Sequence, residues 1–282
     1  VDYIILDIEF NGRKFASELP MEVIEIGAVR LNESLTPVDE FTALIKPVYF
    51  AKLNEFIKKK TGIPQEGIDA ADSFPKVISE FLSWLGPYED FLIVTWGGED
   101  MKRIVFDTRM HKMDDAYWMG AKYYDLLKGY IHFKGVTNDV SVEAALTDLG
   151  LGGEDNNAHR ALEDARMTGD IFRAVFQELD FGRIQQFKDV YSNAKERKLV
   201  KNAIRIIAQQ KVTPTWTAIA RHVLEGKVSL EDPRKVAELQ AYFDAEMAKP
   251  RKMRASPPAT AEASETEAAA SPTPAPELDA DE

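Results

Sequence analysis

Three strand-like runs follow one another at the front of the chain, and behind them helix and strand signals alternate; that order leaves few folds open. YIILDIEF (3–10), EVIEIGAVRL (22–31) and DEFTALIKP (39–47) are joined by short polar connections, which predicts an antiparallel meander. Helical patterns over 51–60 and 74–85, the latter around Phe81, Leu82 and Trp84, lead to another strand, FLIVTW (91–96). A helix over 99–111, a short strand over 123–126, a helix over 141–149 and a long one over 160–179 follow. Strands first, then helix and strand in turn, predict an α/β fold: a mixed five-stranded sheet flanked by helices. No internal repeat is visible in the sequence.

At 282 residues the chain has room for one large domain and a smaller one, and 45% apolar residues suffice for a sizeable core. Wholesale disorder, collagen-like repeats and disulfide scaffolds are excluded. With no cysteine there is no disulfide, thiolate nucleophile, zinc ribbon or iron–sulfur cluster. Chemistry falls to carboxylates, His, Lys, Ser or a metal held by oxygen. The longest apolar stretches, such as Tyr3 to Leu6, are far shorter than the roughly 20 residues needed to cross a bilayer. The sequence opens straight into that run with no basic leader, so no membrane partner and a cytoplasmic location are expected.

The net charge of −12 has three parts. Residues 1–182 carry 19 Lys+Arg against 32 Asp+Glu, net −13; residues 183–254 carry 16 against 8, net +8; residues 255–282 carry none against 7, net −7. An acidic body, a basic helical module and an acidic tail are predicted, with those boundaries. In the module, KERKLVKNAIRIIAQQK (195–211) has Leu199, Ala203, Ile206 and Ile207 on its apolar side. Thr213-Pro214 and Asp232-Pro233 read as cap-and-proline starts of two more amphipathic helices, with stripes running from Trp216 to Leu224 and from Val236 to Met247. Its charges fit either a solvated helical cap or a nucleic-acid contact. The tail has one large apolar residue, Leu278, and is expected to be disordered.

Five residues stand out for chemistry. Asp7 and Glu9 lie inside the most apolar strand, and because strand side chains alternate they share a face with Tyr3 and Ile5. Two like charges on a half-buried face repel unless a proton or cation intervenes, and a hard divalent metal is the natural remedy; an edge strand facing water is the plainer alternative. Asp100 follows the Gly97-Gly98 turn and falls in the first turn of the next helix, where an acid also complements the helix dipole by about 0.3–1 kcal/mol. In AHRALEDARMTGDIF, a loop of turn formers (Gly152, Gly153, Asp155, Asn156, Asn157) ends at His159. Asp164 sits five residues on, in a helix with Leu162, Ala165, Thr168, Gly169 and Phe172 at its apolar spacing. A carboxylate on a rigid element beside an imidazole on a loop divides metal holding from proton transfer, although each residue singly also reads as a surface acid or a capping residue.

The order DxE, then Asp, then HxxxxD resembles the DEDD-family 3′-to-5′ exonucleases of the ribonuclease-H-like fold. It is most similar to the DnaQ-like subgroup with His five residues before the last Asp. HRALEDA carries the most specific part of the resemblance, which covers about residues 1–180. Arg at position 160 disfavours the subgroup with Tyr there, and the TWG..DM block around Asp100 looks most like the Eri-type and KapD exonucleases. Phe10 and Asn11 depart from the family, since many relatives have a small residue and Thr after the Glu.

The resemblance implies that Asp7, Glu9, Asp100 and Asp164 hold two Mg²⁺ or Mn²⁺ ions roughly 3.5–4 Å apart, with Asp7 as the bridge. It implies that His159 meets the substrate and accepts the proton of the attacking water, and that Glu9 and the backbone of Phe10 meet the terminal sugar. The implied partner is a nucleic acid with a free 3′ end, single-stranded RNA or short DNA, cut to nucleoside 5′-monophosphates; the charge map, in turn, offers the +8 module as the surface to hold the incoming strand beside an acidic body. Trp96, Phe10 and Tyr123 are candidates to stack on a terminal base, though aromatic residues in strands usually serve the core. Two other readings stay open: a DNA proofreading or repair exonuclease whose module and tail dock a polymerase, and a non-catalytic nucleic-acid-binding adaptor. The adaptor has no need of five mutually strained polar groups.

Overall fold

The computed structural model describes residues 1–11, 21–152 and 159–249. The expected disordered tail and Gly153, Asp155, Asn156 and Asn157 of the turn-rich loop lie outside the described residues. The chain divides into two compact units, Val1–Asp189 and Val190–Glu282.

In the first unit, strands β1 (Asp2–Asn11), β2 (Glu22–Leu31) and β3 (Pro37–Lys46) form the antiparallel meander. Helices α1 (Glu55–Thr61) and α2 (Gln65–Ala70), strand β4 (Asp72–Ser73) and helix α3 (Phe74–Leu85) lead to β5 (Phe91–Thr95), which pairs parallel to β1. Then come α4 (Glu99–Met110), α5 (Ala116–Gly120), β6 (Lys122–Asp125), α6 (Leu126–Lys134), α7 (Val142–Asp148), α8 (Ala161–Val175) and β7 (Gln185–Gln186).

The sheet order is β4-β3-β2-β1-β5-β6-β7, seven strands instead of the five expected. The five form its middle, β3-β2-β1-β5-β6; β4 and β7 are two-residue edges, too short for any side-chain alternation to announce them. Residues 183–189, grouped by charge with the basic module, lie in the first unit: Gln185 and Gln186 pair with β6, and Phe187 is buried against the sheet.

Alternation along β1 sorts its side chains between two cores. Ile4, Leu6 and Ile8 pack toward Phe81 of α3, Ile104 and Val105 of α4 and Trp118 of α5. Ile5 packs toward Tyr130 of α6, Ala145 and Leu146 of α7, and Ala165 and Phe172 of α8. The Tyr3–Ile5–Asp7–Glu9 face is therefore the one covered by α8.

The second unit, over its described residues, comprises α9 (Ala194–Gln209), α10 (Trp216–Ile219) continued by a π turn over 220–224, and α11 (Pro233–Ala248). Asn193 and Glu196 form a capping box on α9, and Asp232 caps α11 ahead of Pro233 as the sequence implied. Two details differ. Thr215, not Thr213, caps α10, accepting the Ala218 N–H at 3.3 Å. Ile206 is 51% exposed, because the buried seam of α9 runs through Val200, Ala203 and Ile204 and leaves Ile206 on the outer side. No helix among the described residues is long and apolar enough to cross a membrane.

Candidate active site

α8 runs back along β1 and reads off its outer face in order. Phe172 and the following Phe176 pack on Tyr3, with ring centroids 5.1 and 5.5 Å apart; Gly169 covers Ile5, and Asp164 reaches Asp7 and Glu9. One carboxylate oxygen from each of Asp7, Glu9 and Asp164 lies within 4.8 Å of the other two.

Two residues let the helix come this close. Gly27 is the cross-strand partner of Asp7, and a Cβ there would stand 2.1 Å from the backbone nitrogen of Leu162 and 2.2 Å from the carbonyl carbon of Ala161. The first turn of α8 thus lies directly on β2. Glu25, opposite Glu9 and 1% exposed, fixes the same turn. It accepts Nη2 of Arg160 at 2.6 Å, Nε at 3.0 and 3.1 Å and the Ala161 N–H at 3.1 Å, a forked charged pair plus a helix-end contact.

Asp100 enters from the first turn of α4 and is 9% exposed. It accepts the Ile8 N–H, between the two acids of β1. It is not one of the three acids that converge within 4.8 Å, but its charge, after burial, is the next cause that raises the Asp7 pKa well above the usual carboxylate range. Burial also pushes Glu9 up to about 7, against the opposing field of Lys60, and Asp100 up to about 7. Asp164 is raised by burial as well. Among the described residues its Oδ1 is buried with no hydrogen-bond partner. Converging oxygen donors, an orphaned buried carboxylate oxygen and acids whose pKa values are raised by burial and by one another fit a hard divalent cation.

His159 stands where loop meets α8, its Nδ1 3.4 Å from Asp164 Oδ2 and 3.8 Å from Glu143 Oε1. Its N–H donates to the Lys60 carbonyl at 3.0 Å, which ties the loop to α1. All five expected polar residues are thus gathered at one end of β1. Of the expected stackers, Trp96 and Phe10 are half-buried and Tyr123 is buried. Trp96 donates its indole N–H to the Val140 carbonyl at 2.9 Å, and Phe10 packs on the core with the Arg103 guanidinium 5.3 Å from its ring centre. An exposed aromatic side chain does occur on α1, Phe56, 70% exposed.

Sequence reasoning missed Lys60, Glu143, Glu25 and the role of Arg160. Glu25 carried a signal, an acid inside an apolar strand two residues before a glycine; Lys60, the last of three lysines, carried none.

A family model described as exonuclease matches residues 4–172, more than half of the chain. The chain belongs to the exonuclease family. The matched span contains Asp7, Glu9, Asp100, His159 and Asp164. Among curated relatives, mouse 3′-5′ exoribonuclease 1 is 29% identical over 187 residues, covering 63% of this chain and 54% of the mouse protein. The chain thus spans about half the length of that relative. DNA polymerase III subunit epsilon of Aquifex aeolicus is 28% identical over 186 residues, covering 64% of this chain and 82% of that protein. Among solved structures, the nuclease domain of 3′hExo, a DEDDh family member bound to rAMP, superimposes with a TM-score of 0.59 at 25% identity, covering 66% of this chain and 97% of that domain.

Proposed function

We propose that this chain is a 3′-to-5′ exonuclease that releases nucleoside 5′-monophosphates from single-stranded RNA or short DNA with two divalent ions, Mg²⁺ or Mn²⁺. The observation that carries the reading is the convergence of one carboxylate oxygen each from Asp7, Glu9 and Asp164 within 4.8 Å, together with a buried Asp164 Oδ1 that has no hydrogen-bond partner among the described residues and His159 3.4 Å from the same carboxylate.

Asp7, Glu9 and Asp164 would hold the metal, with Asp100 as the fourth acid. Divalent ions bound there supply Lewis acidity toward water and toward the leaving 3′ oxygen. His159 takes the proton of the attacking water: it is 38% exposed at its side chain, and Asp164 and Glu143 flank its Nδ1 to orient the ring. Glu9 and the Phe10 backbone meet the terminal sugar. The exposed ring of Phe56 suits a base more than Trp96 or Tyr123 does.

In this reading the first unit, residues 1–189, carries the catalysis, the basic helices over 190–254 hold the strand or a protein partner, and the tail over 255–282 is an acidic appendage. A second reading, proofreading of DNA, is favoured by the 28% identity to a polymerase subunit. The deciding experiment is degradation of matched RNA and DNA strands, single and double, with Mg²⁺ and with Mn²⁺. Mononucleotide release from single-stranded RNA supports the first reading. A preference for mispaired DNA ends supports the second, and no release from any strand refutes both.

A further inference from the structure

Lys60 is a charged side chain at this site to which the exonuclease reading gives no role. Its Nζ stands 3.8 Å from Glu9 Oε2, and its field favours the charged forms of Asp7, Glu9, Asp164 and Glu143 alike. Among the described residues, no other lysine or arginine forms an ion pair with Asp7, Glu9, Asp100 or Asp164.

Its position is fixed from three sides. α1 buries Ile57 and Thr61, the former in a cluster with Ile24, Leu53, Ile63 and Ile68, and this seats Lys60 on the flank toward Glu9. Asn11, at the end of β1, anchors the approach to α1: its Nδ2 donates to the Phe50 carbonyl at 3.2 Å and its Oδ1 accepts the Asn54 N–H at 3.5 Å. The Lys60 carbonyl accepts the His159 N–H at 3.0 Å, while Gly62, at φ +67°, closes the helix onto the Lys58 carbonyl. Lys58, by contrast, pairs with Glu55 at 3.0 Å on the same helix.

Charge balance says what such an ammonium is for. Four carboxylates and two divalent ions cancel, so a loaded site takes Glu9 away from Lys60 and leaves that cation facing the substrate position. The group that arrives there is a phosphodiester anion. Resting on the exonuclease reading above, we propose that Lys60 is a substrate-binding residue whose ammonium holds Glu9 in the metal-free chain and a non-bridging oxygen of the terminal phosphate in the loaded one.

The test is calorimetric titration of the full chain and its Lys60→Met and Lys60→Arg variants with Mn²⁺ alone, and then, in Ca²⁺, with adenosine 5′-monophosphate and with adenosine. Lys60→Met should bind Mn²⁺ about threefold or more tightly, because a competing cation has left Glu9. It should bind the monophosphate about tenfold or more weakly, the scale of one charged hydrogen bond, with adenosine unchanged. Lys60→Arg should keep monophosphate affinity within about threefold. Parallel weakening of Mn²⁺ and monophosphate would mean that α1 had only been displaced, and would overturn the proposal; so would unchanged monophosphate affinity in Lys60→Met. Failure of the wild-type chain to shorten any strand from its 3′ end sinks the exonuclease reading instead, so the two failures are separable.

Discussion

Gly27→Ala should disable the site without touching any proposed ligand. A Cβ at Gly27 would stand 2.1 Å from Leu162 N and 2.5 Å from Leu162 Cα, both backbone atoms of α8. Ordinary contact begins near 3.4 Å, so the first turn of the helix has to lift by about 1.3 Å. The lift carries Asp164 away from Asp7 and Glu9 and pulls Arg160 and the Ala161 N–H off Glu25. Metal sites tolerate about 0.2 Å in ligand distance, and a displacement of about 1 Å costs on the order of a hundredfold in rate. Overpacking adds about 1–3 kcal/mol of lost stability. Gly169→Ala on the same helix is the control: its Cβ would lie 3.6 Å from Ile5 Cγ1, an ordinary contact. The assay pairs mononucleotide release with Mn²⁺ affinity and thermal unfolding for both variants. Gly27→Ala should lose about two orders of magnitude in rate and bind Mn²⁺ more weakly while still unfolding cooperatively, and Gly169→Ala should stay within about threefold of wild type. Wild-type rate and Mn²⁺ affinity in Gly27→Ala would refute the claim that close seating of α8 builds the site.

Burial raises the Glu9 and Asp100 pKa values to about 7 in the folded chain, from ordinary values of 4.5 and 3.8. The folded state therefore binds more protons than the unfolded one between about pH 4 and pH 7. Metal-free stability should fall as pH rises through that window, by on the order of a few kcal/mol, and Mg²⁺ at pH 8 should restore it; a flat melting profile with no metal response contradicts this. His159→Ala should slow release by about 10²–10⁴-fold with Mn²⁺ affinity within about threefold, and equal loss of both would make the imidazole a ligand instead of a base. Truncation after residue 182 should destabilise the first unit, since it removes β7, buried Phe187 and the Asp189 carboxylate that Arg109 grips at 2.5 Å; truncation after Asp189 should not. Equal melting temperatures for the two would contradict that boundary.

Period-two alternation was enough to put Asp7 and Glu9 on one face with Tyr3 and Ile5, because that inference needs only the strand. Asp164 was legible through its spacing from His159. What the sequence could not show depends on which elements meet. A glycine in EVIEIGAVRL does not say that a helix backbone will cross it, and KKK does not say which lysine turns toward the acids. Helix α6 was missed because LLKGYIHFK continues the apolar run of β6 and holds a glycine. The glycine is there for packing: a Cβ at Gly129 would stand 2.5 Å from the Tyr124 hydroxyl. Phe56 passed as an ordinary helix residue, since exposure is a property of the assembled surface.

The most direct measurement follows a single-stranded RNA labelled once at its 5′ end and once at its 3′ end, in Mg²⁺, with the wild-type chain and with Asp7→Asn. Loss of the 3′ label as a nucleoside 5′-monophosphate while the 5′-labelled strand shortens stepwise, and silence of a folded Asp7→Asn, is the predicted result. Internal cuts, release from the 5′ end, or undiminished release by Asp7→Asn would contradict it.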